Sequence, residues 1–248
     1  MLNKIILIDS IPEEDKQTGN ELFSDTISKY KLFYKTDVEL HYKKVSNQVD
    51  FFKELEWILN YVDIDDEVII HFEAHGNDDE ICLANNSRVN WKILSNYLIP
   101  INEKTKNKLH INVVTCFGMH IGRIMDMQKT APYKSFIAAK GEIFPSEIIA
   151  DNTLFYQNLL ENKDVYQSII NTQKIQTQSK FKIKDVETVL ELALHKTLIP
   201  LLLSSSGLMA KQIFEDLLKI EIDLATIQKN ENASDYIFDK FIKRFTYQ

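Results

Sequence analysis

Glu67-Val68-Ile69-Ile70-His71-Phe72-Glu73-Ala74-His75-Gly76 decides how the chain folds. The apolar run from Val68 has no helical period, so it reads as a strand buried on both faces, as parallel strands are. Working outward, the same form recurs. Lys4-Ile5-Ile6-Leu7-Ile8-Asp9 precedes it, and Leu109-His110-Ile111-Asn112-Val113-Val114-Thr115 follows and ends at Cys116-Phe117-Gly118. Ser135-Phe136-Ile137-Ala138-Ala139 is a further strand, and residues 37–45 alternate (Val38, Leu40, Tyr42) as another. Helical spacing fills the intervals. Residues 20–34 carry Leu22, Phe23, Ile27 and Tyr30; residues 48–62 place Val49, Phe52, Leu55, Ile58 and Leu59 on one stripe. Shorter helices are predicted at 90–98, stopped by Pro100, and at 121–127, with a longer one at 146–160. Alternating strands and helices with short connections predict an α/β fold: a three-layer sandwich with a mostly parallel sheet and helices on both faces.

From about residue 164 onward the reading changes to amphipathic helices. Residues 173–179 are a polar stretch with the composition of a linker. Val186, Val189, Leu190, Leu192, Ala193 and Leu194 form one apolar set, 198–203 a dense run, and Phe214, Leu217, Leu218, Ile220 and Ile222 another. The expected division is a core at 1–175 and a helical C-terminal extension at 176–248, packed on the core or used to bind a partner. The 248 residues carry 36 acidic and 29 basic side chains, a net charge of -7. Only three of the basic residues are Arg (Arg88, Arg123, Arg244), so attraction to a phosphate backbone is not expected. The loop after the first strand, Asp9-Ser10-Ile11-Pro12-Glu13, has no glycine to cradle phosphate and would repel it. Two cysteines, Cys82 and Cys116, make neither a disulfide framework nor a four-thiolate zinc site. The first residues lack the features of a signal peptide, and 198–203 is too short to cross a membrane. A cytoplasmic protein without membrane or nucleic-acid partners is the expectation.

In parallel sheets, functional groups collect beyond the carboxyl ends of the strands. That rule directs attention to Asp9, to His75-Gly76, to Cys116-Phe117-Gly118 and to the segment after Ala139. A thiol attacks carbonyl carbon as its thiolate, and a neighbouring imidazole supplies the base. If the strands ending at His75 and Cys116 are neighbours, both side chains emerge at one rim. Gly76 permits close backbone approach, so its N–H and that of Cys116 would serve as an oxyanion hole. A zinc site on His71, Glu73 and His75 is disfavoured, because the helical His-Glu-x-x-His arrangement is absent and the segment reads as a strand. His71 reads as a packed structural histidine. No metal and no cofactor are expected.

An apolar strand followed by His-Gly, then an apolar strand followed by Cys, resembles the caspase-like cysteine peptidases. That clan also includes metacaspases, separases, gingipains and CHAT-domain proteins. The interval from His75 to Cys116 is close to the roughly 50 residues between the two motifs in caspases. The segment from Ile81-Cys82-Leu83 to Val89-Asn90-Trp91-Lys92-Ile93-Leu94 resembles the region between the motifs in CHAT-type members. Phe155-Tyr156-Gln157-Asn158-Leu159-Leu160 resembles the helix after their fifth strand. The resemblance spans about residues 3–175. It implies a Cys-His dyad of Cys116 and His75, an endopeptidase proceeding through a thioester, a protein substrate, and a regulated role such as bacterial defence or cell death with an activating protein partner.

The sequence departs from the caspases proper. Val114-Thr115 stands where they have Gln-Ala, and there is no Arg after the first strand to clamp an aspartate side chain. Asp9 and Glu142 lie near the expected rim, with Asp78 in the Asn77-Asp78-Asp79-Glu80 loop. An acidic pocket built from them would suit Lys or Arg substrates. The alternative to an enzyme is a non-catalytic caspase-like scaffold that binds partners through its helical tail. Oligomeric state stays open.

Overall fold

The computed structural model describes residues 1–124, 129–188 and 211. Its centre is a six-stranded sheet in the order β2-β1-β3-β7-β8-β9. The strands are β1 (Lys4–Asp9), β2 (Glu39–Lys44), β3 (Val68–Glu73), β7 (Leu109–Val114), β8 (Ser135–Ala139) and β9 (Phe181–Asp185). All pairings are parallel except β8 with β9, which is antiparallel. Each residue of β1, β3, β7 and β8 is buried, whereas edge strand β2 is largely exposed. The continuous apolar runs are therefore the inner parallel strands, and the alternating run is the edge.

The side chains of the inner strands sort onto two faces. Ile6, Ile8, Val68, Ile70, Phe72, Leu109, Ile111 and Val113 face one layer. That layer contains α3 (Gln48–Tyr61) and α4 (Trp91–Lys104), together with a small antiparallel sheet of β4 (His75–Gly76), β5 (Glu80–Cys82) and β6 (Arg88–Asn90). Ile5, Leu7, Ile69, Val114 and Ile137 face the other layer, with α5 (Pro145–Asn162) and α6 (Val165–Ile175). A helical body also lies there: α1 (Thr18–Glu21), a π-helical turn at Leu22–Ile27, and α2 (Ser28–Tyr34). The result is α/β with helices on both faces of a mostly parallel sheet. No described helix is long and apolar enough to cross a membrane.

Several boundaries differ from the sequence reading. Val49, assigned to the buried stripe of α3, is 61% exposed, while Phe51 takes its place in the core at 1%. Residues 121–127 were expected to be helical; the structure has a 3-10 helix at Gly118–Ile124. Between β4 and α4 the structure has the β5–β6 hairpin, and Asn90, expected to begin the helix, ends β6 instead. The sheet continues past residue 175, because β9 pairs with β8 after only a short turn. Gln173 Nε2 donates to Phe181 O across that turn at 3.1 Å, so the polar stretch 173–179 ends α6 and turns back rather than linking domains. Val186 is buried with the α3–α4 layer. The remaining apolar sets of the proposed extension, from Val189 onward, lie outside the described residues.

Pro100 does not stop α4, which runs on to Lys104. The missing N–H and the ring clash cost about 3 kcal/mol. Against this, the next turn buries Ile101 completely, and Asn102 is 1% exposed. Burying an Ile side chain is worth roughly 1.5–3 kcal/mol. Asn102 adds hydrogen bonds to Asn107 Oδ1 (3.0 Å) and Ala131 O (2.8 Å) and accepts one from Leu109 N–H (3.2 Å). Tertiary contacts thus outweigh the local penalty. Pro100→Ala is expected to stabilise the fold by roughly 2 kcal/mol, after allowing for the greater freedom it gives the unfolded chain, with a rise in Tm of several degrees in a thermal melt.

Under β3 and β7, Glu67 is held by a hydrogen bond from buried His110 Nε2 (3.2 Å). This bond is the main cause that holds its carboxyl down at about 2, against an ordinary 4.5. Burial holds His110 below its own ordinary value. A depressed carboxyl contributes stability above its unfolded value and loses it as pH falls through the folded one. Urea unfolding of the wild type is therefore expected to weaken between about pH 4.5 and pH 2 by on the order of 2 kcal/mol, with Glu67→Gln flattening that decline.

Candidate functional site

The β3–β7 register pairs Glu73 with Val114. His75 and Cys116 each lie two residues further on, so neighbouring strands deliver them to the same rim. Ala74 N–H still bonds Val114 O (3.3 Å), after which the first strand turns off into β4. Asn77 N–H donates to Glu80 O at 3.0 Å. Hydrogen-bonded pairs alternate along an antiparallel ladder. His75 opposite Cys82 is therefore the next bonded pair, and Gly76 opposite Ile81 is not. The Gly76 N–H consequently points away from β5.

Gly76 is required by close packing. A Cβ there would sit 2.9 Å from Thr115 Cβ and 3.2 Å from the Glu80 carbonyl. Gly118 meets the same threonine from the other side, with a Cβ 3.1 Å from Thr115 Oγ1 and 2.9 Å from Val113 O. Gly118 N–H bonds Thr115 O (3.2 Å), closing a turn with Cys116 and Phe117 at its centre. Phe117 adopts φ 58°, a left-handed conformation that costs a residue with a Cβ about 1–2 kcal/mol. Phe117 N–H is tied to Gly141 O (3.0 Å), which helps hold the strained turn. Such strain concentrates at functional sites.

His75 is half-exposed, and its Nε2 lies 2.7 Å from Asp15 Oδ2. Cys116 is partly buried, with Sγ 3.9 Å from Ile143 O. Both line one cavity of about 140 Å³, whose other walls include Ile11, Asp15, Thr18, Ala74, Ile143 and Ile148.

A fully buried polar network backs this cavity. Thr18 Oγ1 donates to Glu73 Oε1 (2.6 Å). His71 Nε2 lies 2.8 Å from Glu73 Oε2, and its Nδ1 lies 2.9 Å from the Tyr156 hydroxyl. Burial pushes the Tyr156 hydroxyl well above its ordinary value. It stays protonated and donates, which places the His71 proton on Nε2, facing Glu73. Asn112 Nδ2 extends the network to Asn152 Oδ1 (2.8 Å). His71 is thus the packed structural residue that its strand position suggested, and its ring nitrogens are both engaged.

The acidic residues expected to form a pocket are not brought together. Asp9 is completely buried and does not line the cavity. Its Oδ2 accepts from the Tyr42 hydroxyl (2.8 Å) and its Oδ1 from Ile11 N–H (3.0 Å). Burial and the Asp9 charge push Tyr42 up, keeping it a donor. Gly19 packs directly over Asp9, where a Cβ would be 2.8 Å from Asp9 Cγ. Glu142 is exposed and outside the cavity wall. Asp78 lies beside His120, which approaches its carbonyl (3.1 Å) and carboxylate (3.6 Å).

Sequence reasoning missed Asp15, Lys16 and Thr18. The signal available was their position in the loop and first helical turn after β1, at the carboxyl end of the sheet. The acidity of that loop was read only as an argument against phosphate. Gly76→Ala is expected to destabilise the fold by about 1–3 kcal/mol, seen as a lower urea midpoint with an unchanged slope, because the nearest atoms include the Glu80 backbone.

A scan against protein-family models gives no match to this chain, and a search of curated proteins gives none.

Proposed function

We propose that the chain is a caspase-like cysteine peptidase, with Cys116 as nucleophile and His75 as general acid and base. The observation that carries this reading is that both residues, from the ends of adjacent parallel strands, line one cavity. The α/β architecture with helices on both faces is compatible with the caspase-like sandwich, and the strained turn at Phe117 supports a functional role for the residue before it.

In this reading the Cys116 thiol gives its proton to His75 and the sulfur attacks the scissile carbonyl carbon. The Gly76 and Cys116 N–H groups bind the resulting oxyanion. The intermediate collapses to a thioester, and the amine leaves with the proton held by His75. Water then attacks the thioester with His75 as base, releasing the carboxylic acid and restoring the thiol. Asp15 is a positioning residue: by engaging Nε2 it leaves His75 Nδ1, which has no hydrogen bond among the described residues, for the thiol. A protein substrate and a regulating protein partner belong to the same proposal.

Iodoacetamide labelling followed by peptide mass spectrometry tests it without a known substrate. Cys116 is expected to alkylate faster than Cys82. His75→Ala is expected to slow it on the order of 100-fold, the scale of a lost general base. Asp15→Asn is expected to slow it less, with Asp15→Glu restoring the rate. Equal labelling of the two cysteines would favour the non-catalytic interaction module.

A further inference from the structure

We infer that the cavity beside Cys116 is a subsite for one neutral, mid-sized aliphatic side chain of the substrate, of leucine or methionine size; this rests on the peptidase reading. Three observations converge. First, one part of the wall is aliphatic: Ile11, Ala74, Val114, Ile143 and Ile148 are all buried. Second, the volume of about 140 Å³ fits one such group. A cavity of roughly 150 Å³ lined by aliphatic residues holds a benzene-sized guest.

Third, the charged groups of the wall each already have a protein partner. At the mouth, Asp15 is engaged by His75 (2.7 Å), and Lys16 lies 3.3 Å from Glu21. Asp9 is buried elsewhere with both oxygens bonded, and Glu142 is exposed and does not line the cavity. Arg88 is paired with Glu80 (2.7 Å), and neither it nor Arg123 lines the cavity. A lysine ammonium or an aspartate carboxylate seated among the aliphatic groups would lose water and have to compete with these existing pairs for a partner.

One buried side-chain oxygen in the wall is unmatched. Thr115 is 1% exposed, and its Oγ1 has no hydrogen-bond partner. A buried hydroxyl without a partner is costly, and this one is enclosed between Gly76 and Gly118. It is neutral, so it does not restore a preference for charge. The Lys or Arg preference anticipated from Asp9, Glu142 and Asp78 is therefore replaced by an aliphatic one.

The test uses the full chain and a set of peptidyl chloromethyl ketones that differ only in the residue next to the reactive ketone: Leu, Met, Phe, Ala, Lys or Asp. In each, the Cys116 sulfur displaces chloride to form a C–S bond, and mass spectrometry reads the rate at Cys116. Iodoacetamide, which has no side chain to seat, is the control. The Leu and Met probes are expected to react at least roughly tenfold faster than the Ala probe, and faster still than the Lys and Asp probes. Ile148→Ala, which enlarges the cavity, is expected to shift the preference toward a Phe probe. A fastest Lys or Asp probe, or equal rates across the set, would overturn the subsite while leaving the peptidase reading intact. Inert peptidyl probes alongside ordinary iodoacetamide labelling would overturn the peptidase reading, and the subsite with it.

Discussion

The pairing of β3 with β7 positions everything at the candidate site. Its register, Val68 with Leu109 through Glu73 with Val114, is held by chemistry as well as by backbone hydrogen bonds. One face of the pair is wholly apolar. The other carries His71, Glu73 and Asn112, which find their partners on α5 and at the start of α1. A slip of one residue would exchange the faces of a strand and drive a buried carboxylate into an apolar layer. That cost is far larger than a hydrogen bond. With the register so defended, the chain two residues past each paired end arrives at one place, and those residues are His75 and Cys116.

Glu73 is the centre of that defence. Its carboxylate accepts from Thr18 and lies against His71, while Gly19 packs close enough that a Cβ would be 3.1 Å from Glu73 Cγ. These contacts draw the segment after β1 against the ends of β3 and β7. Asp9 does the same from below, tying Ile11 N–H and the Tyr42 hydroxyl. The loop so anchored carries Asp15 to His75. A buried network of this kind does not by itself raise stability. Its effect is to fix one arrangement, since breaking any member leaves a buried polar group unpaired. The site inherits its order from this network.

Burial also reassigns the acidic residues. Asp9, at the end of a central strand, has the position of a site residue and the environment of a core one. Asp15, in an exposed loop, has no periodic or motif signature, yet it faces the imidazole. The difference lies in which way the chain turns after β1, and that turn is set by Gly19 and Thr18 packing on residues of other strands.

The sequence alone determined the inner strands, their order along the chain, the helical layers between them, and the presence of His75-Gly76 and Cys116 at strand ends. Those features follow from local periodicity and from unbroken apolar runs, which neighbouring residues express by themselves. It did not determine that α4 runs through Pro100, since the burial of Ile101 and the bonds of Asn102 depend on distant segments. Nor did it determine β9, whose place in the sheet depends on its pairing with β8, or Phe117's left-handed turn. The cavity is likewise a tertiary product: Asp15 and His75 are 60 positions apart, and Thr18 and Glu73 are 55. Its shape and the pairing of its charged groups arise where four separate segments meet, because solvent exclusion and pairing of charges are properties of the packed ensemble of side chains and not of any one stretch.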